Sequence, residues 1–264
     1  MFNQNKLLVL FLFVLICTSP AFAQEIGDGI YAGGSDSRSS DFMSQHLPSL
    51  SQFVNQNLSE KIDIDNSTFL NLDPGNLKLA TEATVRTYFV AEGAGYHNSF
   101  GFKSESVNGE IVEKVVLPDA SSSVSLLTPG AKAKRSQGNP LLPGDYVDLG
   151  AFSEGTLMDF FLIANGRYGG TNLYSTDTSV NPDGIPHVVA LAVEDSPFLV
   201  LGFEDLYGGG DQDYNDLVIA IDIGKENVKK LAVAPEPGTW LLMALGAFFA
   251  VKGPKREREI VHED

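Results

Sequence analysis

An acidic, glycine-rich stretch in the second half of the chain carries the residue types that bind a hard cation. Residues 203–222 read FEDLYGGGDQDYNDLVIAID and crowd carboxylates around three consecutive glycines. Acids packed this closely repel one another unless water or a cation screens them. Calcium takes about six to eight oxygens from carboxylates, amides, backbone carbonyls and water. The sequence therefore predicts a calcium site, whose candidate ligands are Glu204, Asp205, Asp211, Asp213, Asn215 and Asp216.

The spacing within this stretch favours a curled loop between two strands. Asp211, Asp213 and Asn215 occupy every second position, so a curl can aim the three side chains inward. The glycines at 208–210 permit the backbone angles that such a curl needs. Residues 217–223 alternate like a buried strand, so we expect the loop to close a β-hairpin. The alternative is a solvated acidic turn, because Asp, Asn and Gly are also ordinary turn residues.

The same spacing resembles an EF-hand only in part. Asp211, Asp213 and Asn215 fit the first ligand positions, and Asp222 falls at the twelfth. An EF-hand also requires glycine at the sixth position, where this chain has Asp216. It requires helices on both sides, whereas these flanks have strand periodicity. Calcium ligation is therefore compatible with the sequence, and the EF-hand fold is not.

A catalytic alternative uses the same carboxylates. Glycoside hydrolysis needs two carboxyl groups roughly 5–10 Å apart, and Glu204 or Asp205 could provide them opposite Asp211 or Asp213. Acids crowded beside glycines fit metal ligands better than a proton donor in an apolar pocket. The chain contains no nucleophile elbow, phosphate-binding loop or dinucleotide fingerprint. His187, which opens a predicted strand, is expected to form structural hydrogen bonds.

The N-terminus has the three parts of an export signal. Lys6 supplies the positive charge, residues 7–16 form an unbroken apolar run, and Ala21 and Ala23 form an A-x-A cleavage site. We therefore expect signal peptidase to remove residues 1–23 and to release a mature chain that begins near Gln24.

The composition predicts an acidic domain without cysteine chemistry. The chain has 34 acidic and 18 basic residues and a net charge of -16, which repels nucleic acid and anionic lipid and suits cations. Nucleic acid is therefore not an expected partner. Cys17 is the only cysteine and lies inside the predicted signal. The exported protein should have no disulfide, thiol nucleophile or thiolate metal site.

The remaining pattern predicts a mainly β protein. Many short alternating or apolar segments are separated by turn signals such as residues 73–76. This pattern favours an antiparallel β-sandwich or jelly-roll-like domain, which we place at residues 61–230. Residues 24–60 precede it as a leader, loose over residues 25–40 and helical over residues 39–58. Pro48 should lie in the first turn of the second of two short helices, which we expect to cap one end of the sheet.

The C-terminus has a separate organisation. Pro235, Glu236 and Pro237 precede an apolar run at 239–251, and a basic cluster follows the run. The apolar run is expected to form a short membrane helix that anchors the protein transiently in the inner membrane. The basic cluster should stay on the cytoplasmic side, which leaves the acidic domain outside the cytoplasm.

Motif, helix and basic end together resemble the PEP-CTERM sorting signal, here at residues 235–258. The same kind of tail is also catalogued as an ice-binding-protein C-terminal domain. The resemblance implies processing by an exosortase and delivery to the envelope or exterior of a Gram-negative bacterium, often alongside exopolysaccharide.

The β domain is similar to a domain of unknown function, family 4114, which LruC-type surface proteins share. The likeness extends over about Leu77 to Ile223. Three stretches carry it: AEGAGYHNSFGF at 91–102, FFLIANG at 160–166 and the acidic stretch at 203–222. The resemblance implies a β-rich extracellular module, and both calcium binding and an enzymatic role are compatible with it.

Two functions follow from the sequence. The first is an exported, non-catalytic module stabilised by calcium, at the cell surface or in an extracellular biofilm matrix. Such a module would adhere to polysaccharide or to another cell-surface component. The second is a carbohydrate-active hydrolase that uses the carboxylates of Glu204, Asp205, Asp211 or Asp213. The absence of a catalytic motif favours the first.

Overall fold

Two antiparallel β-sheets make up most of the structure. The computed structural model describes residues 25–58, 69–124, 134–193 and 195–233. The strands within these ranges are β1 (Glu25–Gly27), β2 (Ile30–Tyr31), β3 (Phe69–Leu72), β4 (Ala83–Ala91), β5 (Ser99–Glu105), β6 (Ile111–Leu117), β7 (Tyr146–Phe152), β8 (Leu157–Ile163), β9 (Leu173–Ser175), β10 (Val188–Val193), β11 (Phe198–Phe203) and β12 (Leu217–Asp222).

The strands divide unequally between the two sheets. The larger sheet has the order β1-β2-β7-β4-β12-β11-β10-β3, and the smaller sheet has the order β6-β5-β8-β9. Paired strands in both sheets run antiparallel. The prediction of a mainly β fold with antiparallel sheets is confirmed.

The two sheets share one hydrophobic core. Because side chains alternate along a strand, every second residue of the central strands of the larger sheet faces the smaller sheet. Aromatic rings from the smaller sheet fill much of the space between them. The core includes Phe89, Leu201, Phe203, Ile219 and Ile221 from the larger sheet and Phe100, Phe102, Phe160 and Leu162 from the smaller one.

Short helices cover the opposite face of the larger sheet. Helix α1 (Ser37–Asp41) leads through a π-helical turn at Phe42–His46 into α2 (Leu47–Asn57), and Pro48 lies in the first turn of α2, as predicted. The expectation that these helices cap one end of the sheet is wrong. β11 and β12 are apolar on both faces, and removing the second face from water requires a cover. The contacting residues include Phe42, Leu50 and Val54 on the helices and Tyr88, Val200 and Val218 on the sheet.

The segment predicted as a loose leader forms part of the sheet. β1 and β2 add to its edge, where Tyr31 is paired with Tyr146 of β7. Asp36 caps α1 and also contacts the buried Arg86 guanidinium, with Oδ2 2.9 Å from Nη1. The same guanidinium lies 4.0 Å from the centre of the Tyr146 ring. Residues from 25 onward are therefore bound to the domain by pairing, charge and ring contacts.

The remaining elements are short. Helix α3 (Lys225–Val233) follows β12, and 3₁₀ turns lie at Pro74–Asn76, Gly166–Tyr168 and Thr178–Val180. The predicted signal peptide and the predicted membrane helix at 239–251 fall outside the described residues. Among the residues that are described, no helix combines the length and the apolar character needed to cross a membrane.

Removing the Phe42 ring should destabilise the whole domain. Phe42 is fully buried and stacks on Tyr88 with ring centres 3.9 Å apart. Phe42→Ala should therefore cost about 3–5 kcal/mol of unfolding free energy and lower the melting temperature by about 10 °C. Gln52→Ala, at an exposed position of α2, should change the free energy by less than about 0.5 kcal/mol. Equal melting temperatures for the two variants would show that the helices are not an integral part of the domain.

Candidate metal centre

The acidic stretch forms the connection between β11 and β12. Phe203 and Leu217 are the last paired residues of these strands, so residues 204–216 close a β-hairpin, as predicted. The backbone is left-handed at Gly208, Gly209 and Gly210, with φ of 83°, 82° and 44°. Glycine adopts such angles without steric cost, and this confirms the role expected of the three glycines.

The left-handed backbone continues beyond the glycines at two residues for which this conformation is energetically costly. Gln212 and Tyr214 also have positive φ, 62° and 54°, although left-handed backbone is uncommon for residues with a side chain. They flank Asp213 on either side. Strained backbone of this kind persists only where the surroundings hold it, and it clusters at functional sites.

The curl brings five of the six predicted ligands into two overlapping groups. Carboxylate oxygens of Glu204, Asp205 and Asp216 lie within 4.8 Å of one another, and so do oxygens of Glu204, Asp211 and Asp213. We call these the inner triplet and the outer triplet. Glu204 belongs to both. The inner triplet is more buried than the outer one, in which Asp211 is exposed.

Burial makes the charge of the inner triplet costly. Glu204 is 1% exposed and Asp205 is 4% exposed. Within the part of the chain that the structure describes, no Lys or Arg lies within ion-pair distance of any carboxylate of the two triplets. Buried carboxylates are normally paired with a cation or bound to a metal. These carboxylates therefore need a proton or a bound cation to offset their charge.

The same burial raises the pKa values of the carboxyl groups in the inner triplet. Burial, strengthened by the negative charges of Asp205 and Glu204, raises the pKa of Asp216 to about 8. Burial also raises the pKa values of Glu204, Asp205 and Asp213. Without a cation, the inner triplet therefore retains a proton near neutral pH. A divalent cation that binds there must displace that proton.

Hydrogen bonds hold the inner triplet in place. The Asp205 carboxylate accepts a 2.7 Å hydrogen bond from the Asn98 side chain, and its backbone N–H donates to Asp216 Oδ2 at 2.8 Å. Glu204 Oε2 accepts from the Gln212 N–H at 3.2 Å. Gly210 packs so closely on Glu204 that a Cβ at this position would lie 2.1 Å from Oε1. The loop is thus built around the Glu204 carboxylate.

Asn215, the sixth predicted ligand, acts as a hydrogen-bond donor in this structure. Its side-chain nitrogen donates to the Leu58 carbonyl oxygen at 2.6 Å and to the Asp213 carboxylate. These bonds connect the residue that follows α2 to the acidic loop. Ligation by Asn215 stays a prediction.

His187 and Asp183, which lie outside the acidic loop, hold it in place through hydrogen bonds. The buried His187 ring donates from Nδ1 to the Glu204 carbonyl oxygen at 3.0 Å and contacts Asp183 Oδ2 through Nε2 at 2.9 Å. The same Asp183 oxygen accepts the Gly208 N–H at 2.7 Å. The structural role predicted for His187 is confirmed. The roles of Asp183 and Asn98 were not predicted, because no sequence spacing links residues so far from the loop to it.

A second cluster near the loop resembles a catalytic triad in composition only. Ser121 Oγ lies 2.9 Å from His97 Nδ1, and Asp119 Oδ1 lies 3.2 Å from the same nitrogen. A Ser-His-Asp triad uses opposite ring nitrogens for the two partners. This cluster therefore cannot relay a proton from serine through histidine in that way.

Two segments of the chain match known families. Residues 152–224 match the domain of unknown function (DUF4114), and residues 233–256 match the PEP-CTERM protein-sorting motif. The expected resemblance to both is thereby confirmed. The first match runs from the end of β7 to just beyond β12. It contains the whole acidic loop but not residues 91–102, so it is shorter than expected. No curated protein and no solved structure matches the chain.

These matches locate the protein better than they describe its activity. The sorting motif supports an exported protein that an exosortase processes and that reaches the cell envelope or surface. The domain family carries no assigned function and gives the acidic loop no activity.

Neutralising Asp216 should stabilise the protein in a chelator. A carboxyl whose folded-state pKa exceeds its unfolded value stabilises the fold at low pH, and this contribution is lost as the pH rises toward the folded value. For Asp216 that window extends from the ordinary 3.8 to about 8. Asn at 216 mimics the protonated acid and can still accept the Asp205 N–H. With EDTA at pH 8, Asp216→Asn should melt about 5 °C above the wild type.

The advantage of Asp216→Asn should shrink as the pH is lowered and vanish near about pH 4. Asp195→Asn is the control, because Asp195 lies at the β10–β11 turn, its side chain is 87% exposed, and its ion pair with Lys225 is too exposed to contribute much to stability. The melting temperature of Asp195→Asn should equal that of the wild type at every pH. Some pH dependence should survive in Asp216→Asn, because burial raises the pKa of Glu92 to about 7. A lower melting temperature for Asp216→Asn than for the wild type at pH 8 would contradict this account of the inner triplet.

Proposed function

We propose that the exported protein is a non-catalytic, calcium-stabilised module of the cell surface or extracellular matrix. There it would adhere to polysaccharide, such as the exopolysaccharide of a biofilm, or to another cell-surface component. The observation that carries the calcium proposal is the inner triplet. The carboxylates of the buried Glu204 and Asp205 converge with that of the half-buried Asp216, and Lys and Arg form no ion pair with them among the described residues.

The donor atoms favour calcium over a softer metal. Both triplets consist of carboxylate oxygens alone. Zinc and other transition metals favour histidine nitrogen or cysteine sulfur in at least some positions, whereas calcium and magnesium take oxygen. Calcium also accepts the irregular geometry of a left-handed loop more readily than magnesium does.

Two cations could share the loop. The inner triplet would hold the tighter of them, because two of its three carboxylates are buried and gain most from neutralisation. The outer triplet would hold a weaker one, since Asp211 is exposed and remains hydrated. Glu204 would contact both. Extracellular calcium modules commonly bind with dissociation constants of about 0.1–1 mM, which suits an exported protein.

The hydrolase alternative is less well supported. Glu204 accepts hydrogen bonds on both carboxylate oxygens, from the N–H groups of Leu206 and Gln212, and is 1% exposed. A general acid must reach the glycosidic oxygen of its substrate, which this buried and occupied carboxylate cannot do. Asp211 and Asp213 are more accessible, so an enzymatic role is best tested by substituting these two residues.

Calcium should raise the melting temperature of the wild-type protein. A ligand that binds only the folded state at about 100 times its dissociation constant adds about 2.7 kcal/mol, which corresponds to roughly 5–10 °C for a domain of this size. Gly210→Ala should lose most of this gain, because its Cβ would lie 2.1 Å from Glu204 Oε1. Differential scanning calorimetry in excess EDTA and in about 10 mM CaCl₂, which is roughly 100 times a dissociation constant of about 0.1 mM, measures the difference.

Gly208→Ala provides the matched control. Gly208 is also left-handed, with φ of 83°, but a Cβ there would meet no atom within 4 Å. Both variants should melt lower than the wild type in EDTA, yet Gly208→Ala should keep the calcium-dependent gain. Identical melting curves of the wild type with and without calcium would show that calcium does not stabilise the protein, and the metal part of the proposal would be wrong. Polysaccharide turnover that Asp213→Asn abolishes, with calcium affinity unchanged, would support the hydrolase instead.

A further inference from the structure

A cleft beside the acidic loop has the chemistry of a sugar-binding site. It has a volume of about 570 Å³ and is formed by three loops, at residues 164–172, 205–210 and around Tyr96. Asp205 of the inner triplet forms part of its wall, so the cleft and the candidate metal centre are in contact. The side chains that bear on its chemistry are Tyr96, Asn165, Thr171, Asn172, Asp205 and Tyr207.

Two tyrosines of the cleft are left open to solvent. Tyr96 is 43% exposed and Tyr207 is 67% exposed, although aromatic rings of this size usually gain from burial. Neither ring is needed for the core between the sheets. Exposed rings beside a cleft offer flat apolar faces against which the C–H face of a sugar ring can pack, while their hydroxyls remain hydrated.

The polar groups of the cleft favour a neutral ligand. Asn165 and Asn172 provide amides and Thr171 provides a hydroxyl, all of which exchange hydrogen bonds with sugar hydroxyls. Among the residues that the structure describes, no Lys or Arg lines the cleft, and Asp205 is the charged residue that does. A carboxylated or sulfated glycan would meet negative charge without a compensating base.

One buried side chain connects the cleft to the metal centre. Asn98 is 1% exposed; its amide nitrogen donates to Asp205 at 2.7 Å, and its amide oxygen accepts from the Asn165 N–H at 2.9 Å. Asn165 itself has a left-handed backbone, with φ of 52°. The positions of the Asp205 carboxylate and of the cleft wall are thus linked through a single amide.

We propose that this cleft binds a neutral glycan, with hexose rings packed on Tyr96 and Tyr207 and hydroxyls bonded to Asn165, Thr171 and Asn172. Calcium at the inner triplet fixes Asp205 and, through Asn98, holds the cleft wall in its binding shape. The inference deepens the proposed function and rests on it for the calcium dependence. The location of the cleft and the class of sugar do not depend on the metal.

The test uses the protein isolated from the producing cells after natural processing. Affinity electrophoresis measures its retardation by neutral polysaccharides (dextran, laminarin and galactomannan) and by acidic ones (alginate and polygalacturonate), in calcium and in EDTA. We expect at least one neutral polysaccharide to retard the protein in calcium, and Tyr207→Ala to weaken that binding about tenfold, as the loss of one aromatic contact would. Asn172→Ala should weaken it as well.

Tyr168→Ala is the matched control. Tyr168 is 65% exposed, nearly as much as Tyr207, but it does not line the cleft. It should bind like the wild type, and all three variants should keep the calcium-dependent melting shift. Equal binding by Tyr207→Ala and Tyr168→Ala would overturn the assignment of the cleft. Retardation by acidic polysaccharides only, or by none of the five, would overturn the ligand class.

Comparing glycan binding in calcium and in EDTA distinguishes this inference from the proposed function. If EDTA abolishes glycan binding and the melting shift together, both are supported. If binding is equal in calcium and EDTA while the melting shift remains, the link through Asn98 is wrong and the metal proposal stands. If the melting shift is absent and binding remains, the proposed metal function fails and the sugar site stands alone.

Discussion

Negative charge buried at one end of the sandwich is the constraint on which the surrounding structure depends. The inner triplet places three carboxylates where Lys and Arg make no ion pair with them in the described chain. A charge removed from water in this way costs several kcal/mol unless it is compensated. The loop nevertheless adopts strained backbone at Gln212 and Tyr214 to maintain the arrangement. Strained backbone that is held in this way is typical of a ligand-binding site.

The rest of the fold holds this loop rigidly. β11 and β12 are buried on both faces, between the smaller sheet on one side and α1 and α2 on the other. The two ends of the loop therefore cannot move independently. Leu58 after α2 accepts from Asn215, His187 just before β10 donates to Glu204, and Asn98 before β5 donates to Asp205. Side chains held by several elements can keep the spacing that a metal requires.

The sequence predicted the local parts of this site well. The apolar alternation in β12 and the turn residues before it were enough to place a hairpin, and the three glycines adopt the left-handed angles expected of them. Local hydrogen bonds contribute to the curl, because the N–H groups of Leu206, Gln212 and Asn215 donate to carboxylates of the same loop. These contacts lie close in the chain, and turn residues of this kind can be recognised from the sequence.

The non-local parts were not predictable from one sequence. Asn98 and Asp183 contact the loop from residues far away in the chain, and no spacing rule connects them to it. The helices were expected at one end of the sheet, but the double-sided burial of β11 and β12 places them on its face. Residues 25–40 were expected to be loose because Gly and Ser are frequent there, whereas pairing with β7 and the contact of Asp36 with Arg86 determine their structure. In each case tertiary contacts outweigh local composition.

A crystal structure of the processed protein grown with calcium tests the central claim most directly. The account predicts an anomalous peak among the carboxylates of Glu204, Asp205 and Asp216, with oxygen distances of about 2.3–2.6 Å. A well-ordered loop at millimolar calcium, with these carboxylates sharing only protons and no cation between them, would contradict it.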